Sequence, residues 1–231
     1  MTEADSTGRA ENLATRDLLT ADGATADKAT TDRATTDRAT TDRASESAAK
    51  RDRLIEIVRR RSFQAGAEMK LASGRTSNFY FNMKPTMMHP CGARLIASLI
   101  LDVIADARAT LVGGLEMGAV PIAASVAAVS ELEGRPVKTF FVRKAKKEHG
   151  TKSLIEGLAK DETLAGQRVV VVEDVTTTGG SALKAVKMLK GEGADIVMVV
   201  TVVDRQEGAA EAFAEAGLTF EALSRAEDFV G

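Results

Sequence analysis

The residues best suited to chemistry lie in one run, Glu173–Asp174–Val175–Thr176–Thr177–Thr178–Gly179–Gly180–Ser181. It follows four consecutive valines, Val169 to Val172, and precedes residues with helical spacing from Ala182 to Leu189. Strand, polar turn and helix bring free backbone N–H groups and a helix N-terminus to one point, and such a point attracts a phosphate. The hydroxyls add donors, and the glycines let the backbone approach an anion closely. The alternative is an ordinary turn with a threonine cap. The acidic pair and the three threonines count against it. The spacing is not that of a P-loop, which needs G-x-x-x-x-G-K-[ST].

Three further groups stand out. Arg143–Lys144–Ala145–Lys146–Lys147–Glu148–His149–Gly150 holds five potential cations in seven residues, and reads either as a solvated loop or as a mobile one with Gly150 and Gly157 as hinges. Arg205, in Asp204–Arg205–Gln206–Glu207–Gly208, offers a planar fork that matches a carboxylate, or a salt bridge to Asp204 or Glu207. Phe79, Tyr80 and Phe81 form an aromatic run in which alternation turns Tyr80 away from its neighbours. Phe79 and Phe81 suit a flat ligand or the core equally well.

The elements that must position these groups alternate from about residue 90 onward. A helix is expected over Pro90–Ala105, a strand over Thr110–Gly114, and a helix from the Leu115–Pro121 turn to about Val129. Strands follow over Val137–Val142, Val169–Val172 and Asp195–Val203. A helix over Ala209–Ala216 and a strand over Leu218–Leu223 close the pattern. Continuous apolar strands between helices predict an α/β fold with a central, mostly parallel sheet covered on both faces. Ligands then sit at the strand C-terminal ends. Before this lie a helix from about Ala48, with Leu54, Ile55 and Val58 as its apolar stripe and Arg51, Arg53, Arg59 and Arg60 on its wet face, and two extended runs turning at Gly74. His89 reads as a surface or capping residue.

Residues 1–47 differ in kind. A five-residue repeat, ATTDR, recurs there with no apolar face, so the segment is expected to be a disordered low-complexity tail before a domain spanning 48–231. The whole chain has 231 residues and a formal net charge of −2, which gives no general push toward nucleic acid or membrane. One cysteine, Cys91, excludes an internal disulfide or a multi-cysteine zinc site, and two histidines are too few for a histidine-rich metal site. No uninterrupted apolar run reaches bilayer length, and a cytoplasmic location is expected.

The run from Val169 to Ser181 resembles the phosphoribosyl-pyrophosphate (PRPP) signature of type I phosphoribosyltransferases. Within them, three segments resemble the orotate phosphoribosyltransferase family. They are the hairpin Ser73–Gly74–Arg75–Thr76–Ser77–Asn78–Phe79–Tyr80–Phe81–Asn82, the basic loop with its R-K-x-x-K-x-H order, and the D-R-x-E-G end. The resemblance implies a type I phosphoribosyltransferase fold with a small N-terminal hood hairpin at about 62–84. It implies transfer of phosphoribosyl from PRPP to orotate, with Mg2+ carried on the PRPP and no protein metal ligands. Arg143, Lys144, Lys147, His149, Glu173, Asp174, Val175, Thr176, Thr177, Thr178, Gly179, Gly180 and Ser181 would bind PRPP, and Thr177, Arg205, Phe79 and Tyr80 the orotate. Lys147, His149, Arg143 and Asp174 would be catalytic, His149 as proton donor or as simple charge. It further implies a homodimer whose basic loop reaches the partner's site. Lysines that some relatives carry stand here as Ala72 and Gly118, with Lys84 a candidate substitute. A transferase for another base would lack the hairpin and D-R-Q-E-G, and a ligand-sensing regulator would want a broad basic face.

Overall fold

The computed structural model describes residues 22–70, 76–145 and 153–230. The chain divides into two units, Met1–Ser45 and Glu46–Gly231. The first helix, α1, spans Asp22–Arg61 and so begins well before the Ala48 start that its apolar stripe suggests. No glycine or proline interrupts it after Gly23, and alanine, lysine and arginine favour helix even where no apolar face exists. The hairpin, the sheet and the candidate site all belong to the second unit.

A hairpin follows, β1 over Phe63–Lys70 and β2 over Thr76–Phe81, paired antiparallel with Phe63 opposite Phe81 and Ala65 opposite Phe79. The expected turn at Ala72–Arg75 lies outside the described residues. A short helix, α2 (Lys84–Met87), was not legible in the sequence. The remaining elements alternate: α3 (Pro90–Val103), β3 (Leu111–Leu115), α4 (Ala119–Leu132), β4 (Lys138–Val142), β5 (Ile155–Glu156), β6 (Arg168–Thr176), α5 (Gly180–Gly191), β7 (Asp195–Asp204), α6 (Ala209–Glu215) and β8 (Phe220–Arg225). A 3-10 turn, Ala226–Asp228, ends the described fold.

The six-stranded sheet runs β5-β4-β3-β6-β7-β8, parallel throughout except for β5, which pairs antiparallel with β4 at the edge. Strand order therefore reverses between β3 and β6. A crevice at such a switch point is where this architecture binds ligands. Val169 to Val172 of β6 are fully buried, as a central parallel strand demands. Their alternation builds two cores. Val170 and Val172 join Leu54, Ile96, Ile100, Ile122 and Val126 on one face, and Val169 and Val171 join Ala185, Leu189 and Phe213 on the other.

Two arginines expected on the wet face of α1 have structural work. Arg51 donates to the carbonyl oxygens of Leu223 (2.5 Å) and Ala222 (2.6 Å), and Arg59 donates to those of Phe229 (3.2 Å) and Asp228. β8 is an edge strand, and donors laid across its carbonyls blunt that edge. Arg53 and Arg60 stay exposed and pair with Glu56. His89 takes the N-cap position of α3 without a side-chain capping bond.

Leu54 of α1 is fully buried, in the same core cluster as Val170 and Val172 of β6. Leu54→Ala is expected to lower unfolding free energy by about 2–5 kcal/mol. Urea unfolding would check this, with the midpoint falling and the slope unchanged.

Candidate functional site

The valines of β6 fix where the polar run begins, because each is locked in one core or the other. Past them, a cavity of about 290 Å3 is lined by Glu173, Val175, Thr176, Thr177, Thr178, Gly179, Gly180, Ser181, Ala182 and Lys184. Gly179 has φ +77°, and a Cβ there would press on the Phe213 ring at 2.9 Å, so only glycine suits this turn. The first bond of α5 runs from the Leu183 N–H to the Gly179 carbonyl (2.9 Å). The N–H groups of Gly180, Ser181 and Ala182 therefore have no acceptor within the helix, which makes the turn an anion seat. Lys184, one turn into α5, also lines the cavity. Sequence reading passed over it, although its spacing from Gly180 was a usable signal.

Period-two geometry separates the two carboxylates. Glu173 follows Val169 and Val171 toward α5 and lines the cavity, and its Oε2 is buried without a hydrogen-bond partner among the described residues, as is Thr176 Oγ1. Asp174 points the other way. It accepts the Val175 N–H (2.9 Å) and lies against Gly118, where any Cβ would collide with its carboxylate. A lysine at position 118 would thus displace Asp174, which explains the glycine there. Burial, and then the charge of Asp174, push Glu173 up to about 8, against the pull of Lys144. Burial also raises Asp174, opposed by the Val175 N–H and by the charges of Lys84 and Lys144. Lys84 and Lys144 are thus cations close enough to act on the acidic pair.

The turn after β3 faces this pair across the switch point. The Glu116 N–H donates to the Val142 carbonyl (2.8 Å), and the Glu116 carboxylate accepts the Lys144 N–H (2.9 Å). Arg143 is held at the end of β4 by its own N–H on Leu154 O (2.7 Å), with its guanidinium 3.8 Å from Glu156. Arg143 and Lys144 thus stand at the end of β4, with the Lys144 backbone tied to the turn after β3. Lys147 and His149 lie outside the described residues. Glu116 was also missed in the sequence, where it reads as one polar residue in a glycine-rich turn.

Arg205 leaves the end of β7 and is only 4% exposed. Its Nε donates to Glu207 (2.8 Å), Nη1 to the Phe79 carbonyl (3.3 Å) and Nη2 to Ser77 Oγ (2.9 Å), and the guanidinium lies 4.3 Å from the centre of the Phe79 ring. The carboxylate partner is Glu207. Asp204 instead accepts the Gln206 N–H (2.9 Å). Phe79 and Phe81 pack with Phe63 and Phe229 in one aromatic cluster, in which Phe81 is buried core and Phe79 is half-buried against it. Tyr80 turns the other way and is 40% exposed.

A larger cavity, about 480 Å3, opens at the opposite end of the sheet between Thr110, Lys138, Leu158, Glu162 and Gln167. Lys138 and Glu162 pair across it, and it has no glycine turn or helix N-terminus. Among the described residues no group of three or more histidine, cysteine or acidic side chains could hold a metal ion, and no helix is long and apolar enough to cross a membrane.

The raised carboxyl of Glu173 sets a pH dependence. Its stabilising contribution is complete below the ordinary value of 4.5 and is lost as pH rises through about 8. Thermal melts of the ligand-free chain should therefore fall over that window, and Glu173→Gln should flatten the fall.

Residues 88–216 match the model of the phosphoribosyl transferase domain. The orotate phosphoribosyltransferase of Bradyrhizobium sp. (strain ORS 278) is 60% identical over 183 residues, covering 79% of this chain and 98% of that protein. The crystal structure of Mycobacterium tuberculosis orotate phosphoribosyltransferase in complex with Fe(III) dicitrate is 40% identical with a TM-score of 0.67, covering 78% of this chain and 98% of that one. The same enzyme in complex with PRPP gives 38% identity and a TM-score of 0.64, over the same shares of each chain.

Proposed function

The chain belongs to the orotate phosphoribosyltransferase family, and from that membership we propose how its own residues carry the reaction. The enzyme transfers the phosphoribosyl group of PRPP to orotate, giving orotidine 5′-monophosphate and pyrophosphate in pyrimidine biosynthesis. Orotate N1 attacks the anomeric carbon as the C–O bond to diphosphate breaks. Two charges grow as this happens, positive on the ribose and negative on the departing diphosphate.

The single observation that carries the assignment of roles is the cavity at the start of α5, lined by backbone and hydroxyl donors and by Glu173, whose buried Oε2 has no hydrogen-bond partner among the described residues. The 5′-phosphate is assigned to the N–H and hydroxyl groups from Thr176 to Ser181. Glu173 would accept the ribose hydroxyls, and a cationic ribose beside it would draw off the proton that burial favours. Asp174 would lie by the developing cation, held in place by the Val175 N–H and the turn at Gly118.

Lys147, His149, Arg143 and Lys144 are assigned to the diphosphate. Arg143 and Lys144 sit where β4 ends, beside the turn that follows β3. Mg2+ is expected to enter with PRPP. The acidic pair would suit an ion borne by substrate oxygens and water, with Glu173 and Asp174 as the carboxylates at hand. When bound, the ion supplies neutralisation of the diphosphate oxygens. Orotate is assigned to Arg205 and Thr177, with the hairpin at Phe79 and Tyr80 as its wall. Two guanidinium N–H groups of Arg205 remain for the orotate carboxylate.

The proposal extends to a homodimer in which each basic loop serves the partner's site. Met88 and Met117, 74% and 61% exposed, are apolar surface that such a contact would cover. A cytoplasmic setting fits the single free cysteine.

Loss of orotate absorbance should require PRPP and Mg2+ together. Lys147→Ala is expected to cut kcat by roughly 10²–10³ while PRPP affinity stays within a few fold, the pattern of a charge used at the transition state. Rapid kinetics with an equal loss in binding alone would contradict it. Arg205→Ala is expected to raise the orotate KM by about 10-fold or more, the value of a charge-assisted hydrogen bond, with the PRPP KM little changed.

A further inference from the structure

Arg205 is held more tightly than a substrate fork needs. Its guanidinium has five N–H donors. Three are already engaged, on Glu207, on the Phe79 carbonyl and on Ser77 Oγ. Ser77 is the pivot of this set. Its hydroxyl accepts from Arg205 and donates to the Phe79 carbonyl at 3.0 Å, and the Phe79 N–H returns to it at 3.3 Å. The Phe79 carbonyl is thus gripped twice, by the serine and by the arginine. The Phe79 ring lies under the same guanidinium at 4.3 Å.

These contacts cross a long sequence gap. Ser77 and Phe79 belong to β2 of the hairpin, while Arg205 and Glu207 follow β7 of the main sheet. A buried ion pair adds little net stability, because desolvation offsets its attraction, and the three donors engaged here hold the guanidinium in one orientation. A guanidinium stripped of one acceptor would rotate about its long side chain. The two donors left on its terminal nitrogens would then no longer be aimed.

We propose that Ser77 is a positioning residue for orotate, fastening the hairpin to the end of β7 through Arg205 so that the two unused guanidinium N–H groups face the pyrimidine carboxylate. Glu207 holds the Nε side of the same fork. This rests on the reading of Arg205 as the orotate ligand. It goes further in assigning the aim of that ligand, and the coupling of hairpin to sheet, to a serine outside the substrate's own contacts.

Steady-state kinetics on S77A, S77T, R205A, E207Q and the S77A/R205A pair, with thermal melts of each, tests it. S77A should raise the orotate KM by about 5- to 10-fold, leave the PRPP KM and the melting temperature near wild type, and be restored by S77T. The double variant should match R205A alone, because serine acts only through arginine. An unchanged orotate KM in S77A, beside a raised one in R205A, overturns the positioning role and leaves Arg205 as ligand. Equal rises in both KM values, or a lowered melting temperature in proportion, would show a merely structural serine and also overturn it. If S77A does not fold, E207Q carries the same test, since it keeps an acceptor shape but loses the charge that holds Nε. If R205A itself leaves the orotate KM unchanged, the ligand reading fails and the positioning role falls with it.

Discussion

The structure depends on one handover, from a strand buried on both faces to a helix whose first N–H groups have no acceptor within the helix. β6 cannot shift along its axis without moving Val169 to Val172 out of two cores at once. α5 cannot rotate freely, because Ala185 and Leu189 pack into one of those cores. The turn between them is therefore placed by apolar burial on either side. Its backbone conformation is set by Gly179, which sits at positive φ under the Phe213 ring. Polar groups in a turn so constrained are organised before any ligand arrives, which is the condition for electrostatic work at low reorganisation cost.

The same handover explains the acidic pair. Adjacent residues on a strand diverge, so Glu173 and Asp174 serve different neighbours: one faces the cavity, the other the turn after β3. Both carboxylates are drawn toward neutrality by burial; Lys144 opposes that at both, and Lys84 at Asp174. The cations that act on the pair come from the α2 and β4 ends of the fold, not from positions 72 and 118. Charge balance at the site is a property of the assembled strand ends, and no single segment carries it.

Much of this was legible in the sequence, for reasons that differ by residue. The Val169–Ser181 run showed its strand, turn and helix because buried strands and glycine turns leave strong local patterns. The alternation from residue 90 onward gave the sheet class, and the parallel neighbours of β6 follow it. Where tertiary contacts decide, the sequence was silent. Arg51 and Arg59 look like solvated charge, and only the carbonyls of β8, for Arg51, and of the turn after it, for Arg59, reveal their use. Glu116 and Lys184 gain meaning from what stands opposite them in space. The pairing of Arg205 with Ser77 spans most of the chain and leaves no local trace. β5 is too short to show a period, and the long helical extent of α1 has no apolar stripe to announce it before Leu54.

The central claim is that the sugar phosphate is seated at the β6–α5 turn, and a crystal structure of the enzyme with PRPP bound tests it most directly. The expected result is a 5′-phosphate within hydrogen-bonding distance of the backbone N–H groups between Thr177 and Ser181, with a ribose hydroxyl on Glu173. A phosphate found instead in the larger cavity beside Lys138 and Gln167, with the turn at Gly179 untouched, would contradict it.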